Sequence, residues 1–314
     1  MEKNSKIIIT GAAGLVGQNL IVRLKRQGFS NITAIDKHKA NTAILRGLHP
    51  DIAIVEADLS EEGDWLEAFV DAKTVVVNQA QIGGLYYEEF VNNNIKATEN
   101  VLRVVRGQVA PPFVVQISSS VVNSQAVDFY TESKKAQEKL VLDSGLPCTV
   151  LRPTLMFGWF DRKHLGWLKR FMEKAPIFPI PGSGEYIRQP LYVGDFCNVI
   201  MASLDGRHAG QVFDISGLER FTYIDIIRQI KQTTGGKAVL MPIPYAVFWL
   251  LLTVYAWFDK NPPFTTKQLN ALAIKESFPV IDWPGIFEVV PTPFKSALAE
   301  TFLDAQYSPV ILEF

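Results

Sequence analysis

Tyr130 and Lys134 stand four positions apart in Tyr130-Thr131-Glu132-Ser133-Lys134, the spacing that puts two side chains on one face of a helix. A phenol and an ammonium so placed can carry a proton to or from a substrate hydroxyl. A free tyrosine titrates near pH ~10, so service as a base near neutrality needs a fall of roughly 3 units, about 4 kcal/mol. One ammonium at about 4 Å in an effective dielectric of ~20 supplies about that much. The pair therefore implies a Tyr130 phenol lowered by Lys134. The spacing alone occurs readily by chance; its weight comes from lying after the hydroxyl run Ser118-Ser119-Ser120 and behind a glycine-rich stretch near the start of the chain.

That stretch is Ile7-Ile8-Ile9-Thr10-Gly11-Ala12-Ala13-Gly14-Leu15-Val16-Gly17. A short apolar run reads as a buried strand. Glycines at i, i+3 and i+6 follow, and then helical periodicity through Leu24. Strand, turn and helix of this kind cradle a pyrophosphate on the free N–H groups of the helix N-terminus. Asp36 ends the next apolar run, 19 positions after Gly17, close to the separation of roughly 20 expected of a carboxylate that holds a ribose hydroxyl. A carboxylate there repels a 2′-phosphate and accepts hydrogen bonds from a free ribose diol, which selects NAD over NADP. Lys37, His38 and Lys39 follow at once, and a side chain from this trio could turn back to pair a 2′-phosphate.

The elements that must position these groups are legible as alternation. Strands read at Ile7–Thr10, Ile32–Asp36, Ile52–Glu56, Thr74–Asn78, Phe113–Ile117 and Thr149–Arg152, with helical patterns near 15–28, 39–48, 61–70, 85–106 and 129–144. Such alternation implies an α/β fold, a doubly wound parallel sheet of Rossmann type, with ligands beyond the carboxyl ends of its strands. Small and hydroxylated residues recur there: Asp58-Leu59, Asn78-Gln79-Ala80, Ser118 to Ser120 and Pro153-Thr154. Residues 1–156 read as the dinucleotide-binding domain. Residues 157–314 read as a smaller substrate-binding part, partly interleaved with the first.

Bulk composition narrows the class. With 31 basic against 32 acidic residues among 314 there is no field to attract nucleic acid. Cys148 and Cys197 form no CxxC pair, and His38, His49, His164 and His208 are scattered, so neither a disulfide framework nor a metal site is expected. No signal peptide is visible, and the expected compartment is cytoplasmic.

The order TGxxGxxG, Asp36, Asp58-Leu59, an Asn-rich helix start at Asn92-Asn93-Asn94, Ser118-Ser119-Ser120, YxxxK, Leu151-Arg152-Pro153 and Arg188 to Asp195 resembles the extended short-chain dehydrogenase/reductase family, of NAD-dependent epimerase/dehydratase type. The resemblance implies that Gly11, Gly14 and Gly17, with Leu15 and Val16, hold the pyrophosphate of NAD. It places Asp36 on the adenosine ribose, Asp58 and Leu59 beside the adenine and Ala80 by the nicotinamide, with Ser118 and Pro153 also binding the cofactor. Asn94 would support the active-site water network. Ser120 would orient substrate, Tyr130 would act as acid/base, and Lys134 would bind the nicotinamide ribose and lower the phenol's pKa. Arg188 is the candidate ligand for a substrate diphosphate. The implied reaction is oxidation at a secondary hydroxyl of a nucleotide sugar.

Two departures bear on substrate: only nine residues separate Ser120 from Tyr130, and Leu155 stands where many nucleotide-sugar enzymes place an asparagine. These features are similar to the branch near 3β-hydroxysteroid dehydrogenases, acting on an apolar alcohol, and near a complex I accessory subunit without turnover. Further on, 222–235 reads as a helix with Thr222 as N-cap and Gly235-Gly236 as its stop. The uncharged run Tyr245–Phe258 is too short to span a bilayer, which needs ~20 residues. It reads as a buried or subunit-interface helix of a homodimer, or as a peripheral membrane contact or apolar substrate wall. A last helix is expected from Pro291 to about Ala305.

Overall fold

The computed structural model describes residues 1–258, 266, 269 and 278–313. Six strands of the first half, β1 (Ile7–Thr10), β2 (Ile32–Asp36), β3 (Ala53–Glu56), β4 (Thr74–Val77), β5 (Phe113–Ile117) and β6 (Cys148–Pro153), lie in one sheet with the strand Val212–Ile215. The order is Val212–Ile215, β6, β5, β4, β1, β2, β3, and every pairing is parallel. Because a parallel sheet is covered on both faces, its strands carry near-continuous apolar runs. In β1, Ile7 and Ile9 face one apolar cluster and Ile8 the other, all three fully buried. Strand order reverses between β1 and β4, the switch point at which such sheets bind ligands.

The helices that position the site are α1 (Leu15–Arg26), α2 (Lys39–Leu48), α3 (Tyr87–Phe90), α4 (Ala97–Arg106) and α5 (Phe129–Leu142). Several local expectations are corrected. The pattern at 61–70 forms a 3₁₀ turn, Asp64–Phe69, with Asp71 at φ +59° just beyond it. The pattern at 85–106 is helical from Tyr87, but Val91–Lys96 is wound as a π-turn between α3 and α4. β4 ends at Val77 because Asn78 turns to the glycine loop: its N–H meets Thr10 Oγ1 at 3.1 Å and its amide donates to Gly11 O at 2.9 Å.

The chain beyond residue 157 returns to the sheet. The Val212–Ile215 strand extends β6, with Asp214 opposite Arg152, and the helix Val193–Ser203 packs on α1. The expected helix near 222–235 is Tyr223–Thr234, whose Asp225 N–H meets the Thr222 hydroxyl at 3.2 Å and which ends at Gly235 with φ +67°. The final one is Phe294–Leu303. Tyr245–Phe258 is helical; Phe248 is buried, whereas Val247, Trp249, Leu250, Leu251, Val254 and Trp257 are exposed. No helix among the described residues is long and apolar enough to cross a membrane.

Candidate active site

The glycine loop is shaped by the protein's own close packing. Gly11 has φ +59°, and a Cβ there would lie 2.7 Å from Gln79 N and Cα. A Cβ on Gly17 would lie 2.5 Å from Ala12 Cα and O, so only glycine lets α1 seat against the turn. Gly14 caps α1 without any side-chain cap, and its first turn holds no acidic residue. The helix start at Leu15, Val16 and Gly17 thus carries no acidic side chain of its own, which fits an anionic pyrophosphate.

Asp36 receives the Ala13 N–H at Oδ2 and the His38 N–H at Oδ1, both 2.9 Å. Burial pushes its carboxyl up, and these two donors oppose the rise. At Asp58 burial acts upward too, but Lys37 at 2.9 Å and Ser60, which bonds through both N–H and hydroxyl, hold the carboxyl below its ordinary value. Lys37 also donates to Asn93 Oδ1 at 2.5 Å. His38 accepts the Asn41 N–H as the cap of α2. Two of the three side chains that follow Asp36 therefore have structural work of their own. Leu59 and Pro153 are buried and Ala80 half-buried at the strand ends.

Asp128 caps α5, receiving the Thr131 N–H at 2.9 Å. The helix carries Lys134 into the protein, 1 % exposed, where Nζ donates to Ile117 O at 2.9 Å and to Gln137 Oε1 at 2.5 Å. The Gln137 amide continues to Thr98 Oγ1 at 2.9 Å and Gln79 O at 3.2 Å, and the Thr10 hydroxyl bonds Gln79 Oε1. A buried polar chain thus ties the lysine to the turn that opens the glycine loop. Burial lowers the Lys134 ammonium to about 7, with Glu138 pulling the other way.

Tyr130 corrects the expectation of a lowered phenol. Burial pushes it up, Ser119 draws it down by a hydrogen bond, and Asp128 adds to the rise. Desolvation penalises the charged form of both groups, tyrosinate and ammonium alike. The serine hydroxyl that reaches the phenol is that of Ser119; Ser120 opens the 3₁₀ turn Ser120–Asn123. Ser118 donates instead to Glu138 Oε2 at 2.5 Å, and Arg152 grips the same carboxylate with Nε at 3.0 Å and Nη2 at 2.5 Å. Asn94, in the π-turn and fully buried, takes the Gln81 N–H at 2.6 Å and donates to Ser133 Oγ at 2.8 Å, which bonds back to Tyr130 O. π-Turns concentrate at functional sites.

Asn94, Ser119 and Tyr130 are thereby brought together, and Lys134 lies one turn further along the same helix. Arg188 belongs to a different neighbourhood, on the strand Ile187–Arg188, beside the Tyr186 and Tyr223 phenols. Leu155 lies between β6 and the strand Met156–Phe157, its carbonyl receiving the Leu191 N–H. Sequence reasoning missed Ser119, Thr98, Gln137 and Glu138. Gln137 and Glu138 were findable, since three and four residues after Lys134 is the same helix face.

Residues 7–216 match the model of the NAD-dependent epimerase/dehydratase family. An uncharacterised UDP-glucose epimerase of Bacillus subtilis is 25 % identical over 75 % of this chain and 84 % of its own. A 3β-hydroxysteroid dehydrogenase/Δ5→4-isomerase of Mycobacterium tuberculosis is 25 % identical over 87 % of this chain and 81 % of its own. Among solved structures, a UDP-glucuronic acid 4-epimerase of Bacillus cereus in complex with NAD superposes with a TM-score of 0.65 at 22 % identity, covering 76 % of this chain and 87 % of that one.

Proposed function

The chain belongs to the NAD-dependent epimerase/dehydratase family, and from that premise we propose that it oxidises a secondary hydroxyl of a nucleotide sugar with NAD. The observation that carries the reading is the Tyr130–Lys134 spacing on one face of α5, with Lys134 hydrogen-bonded to the end of β5 and linked through Gln137 and Gln79 to the turn that opens the glycine loop. Gly11, Gly14, Leu15, Val16 and Gly17 would hold the pyrophosphate of NAD, Asp36 the adenosine ribose, and Asp58 and Leu59 the adenine. Ala80, Ser118 and Pro153 would border the nicotinamide, and Lys134 its ribose. When bound, oxidised nicotinamide supplies a hydride acceptor and a positive charge.

Ser119 and Ser120 orient the substrate hydroxyl, and Tyr130 takes its proton as the carbon-bound hydride departs. Burial pushes the phenol up, so its work as a base needs cationic charge beside it, which the bound oxidised nicotinamide and Lys134, four residues on along the same helix face, would supply. An epimerase then returns the hydride to the other face of the sugar; a dehydratase or dehydrogenase uses the ketone. Arg188 would meet the diphosphate.

A second reading, an apolar secondary alcohol, is supported by Leu155 and by the exposed uncharged helix Tyr245–Phe258. The mycobacterial steroid enzyme also covers more of the chain than the B. subtilis epimerase does. Native mass spectrometry for retained NAD(H), followed by a binding screen of UDP-sugars, separates the readings. Retained cofactor with UDP-sugar binding is expected. Cofactor binding without any affinity for UDP-sugars would transfer the assignment to the apolar alcohol.

A further inference from the structure

A cavity of about 290 Å³ lies in the C-terminal part, between the helix Leu165–Lys174, the paired strands Ile177–Pro181 and Val239–Ile243, and the helix Tyr245–Phe258. Its walls are aromatic and aliphatic carbon, from Trp167, Phe171, Phe178, Ile243, Phe248 and Leu251 among others. Trp167 stacks on Phe171 with ring centroids 5.3 Å apart, and Phe171 meets Phe178 edge-on at 5.4 Å, so one wall is a fixed aromatic surface. Close-packed interiors leave few voids larger than a water molecule, whereas small-molecule sites begin at about 300 Å³. At about 290 Å³ the cavity stands at the lower end of that range and far exceeds a void of one water.

The wall chemistry selects the ligand. A polar group moved against these side chains would lose its hydrogen bonds to water without replacement; a hydrocarbon would not. Leu251 lines the cavity and is also 56 % exposed. Val247, Trp249, Leu250 and Val254 continue that apolar surface outward, and no charged residue occurs between Tyr245 and Phe258. The helix side of the mouth thus presents no charge to an entering hydrocarbon. On the inner side Tyr223 also borders the cavity, and its phenol lies in the field of Arg188.

We propose that this cavity binds an uncharged hydrocarbon moiety that enters past Leu251. The inference rests on the cavity and not on the reading of Tyr130 and Lys134. Calorimetric titration of the full chain with a series of straight-chain alkan-1-ols tests it. Affinity should rise about fourfold for each methylene buried and then level off when the cavity is full. Adsorption to the exposed helix would instead keep rising with chain length. Leu251→Asp, at the half-exposed rim, should weaken every bound alcohol by about tenfold or more while keeping the urea unfolding midpoint of the native chain. Ile243→Trp, which fills the space, should bring the levelling-off to a shorter alcohol. No saturable binding, no levelling-off, or undiminished binding by a folded Leu251→Asp variant would overturn the proposal.

Discussion

Lys134 is the residue on which burial and chemistry meet most sharply. It is held by two acceptors, Ile117 O and Gln137 Oε1, yet burial still brings its ammonium to about 7. The native side chain gives up its proton near that pH, the unfolded one near ~10.4. Between these values the unfolded chain holds more protons, so wild-type stability rises with pH across the interval and is flat with respect to this group below it. Lys134→Met lacks the titration. Its stability relative to wild type should therefore be highest at and below pH 7 and should decline toward ~10. Urea midpoints of both proteins at about pH 6.5, 8 and 9.5 check this; a difference independent of pH would mean the amine titrates normally. The helix-face spacing of Tyr130 and Lys134 was legible in the sequence. The direction of the Tyr130 shift was not, because spacing says which charges are close but nothing about how much water is removed from each.

At the scale of elements, the strand–turn–helix unit of β1 and α1 was the most legible part of the chain, since glycine spacing, apolar run and helical period all specify one geometry. Gly17 and Gly28 separate packing from backbone strain within it. A Cβ at Gly17 collides with Ala12 backbone at 2.5 Å, whereas Gly28, at φ +85°, has open space around it. Gly17→Ala should cost about 1–3 kcal/mol by forcing α1 off the turn and should weaken NAD binding with it. Gly28→Ala should cost a comparable ~1–2 kcal/mol from the left-handed backbone alone while leaving NAD affinity unchanged. Urea unfolding together with NAD titration of both variants decides the matter; equal NAD affinities would show that the turn tolerates the displaced helix. The π-turn Val91–Lys96 was not legible, because Asn92-Asn93-Asn94 carries no period of its own. It is the tertiary pairing of Asn94 with Gln81 and Ser133 that fills the widened turn.

On the scale of the whole molecule, the chain closes on itself. The Val212–Ile215 strand completes the sheet, and residues near the C-terminus return to α2, where Asn41 exchanges two hydrogen bonds with the Glu313 backbone at 2.8 and 3.0 Å. Neither feature was foreseen. A four-residue strand separated from β6 by a long excursion has no local signal, and a tail contact depends wholly on the folded surface it meets. The sheet sets the glycine loop at the carboxyl end of β1 and the start of α5 beyond the carboxyl end of β5, so that Tyr130 and NAD would share one crevice. The most direct test of that account is the rate at which bound NAD is reduced on mixing with a UDP-sugar that the native protein turns over, in the native protein and in Tyr130→Phe. The substitution removes one hydroxyl, so NAD affinity should be almost unchanged while the reduction rate falls by ~10²–10⁴, the loss of a general acid–base group. Equal rates in the two proteins would contradict the assignment of Tyr130.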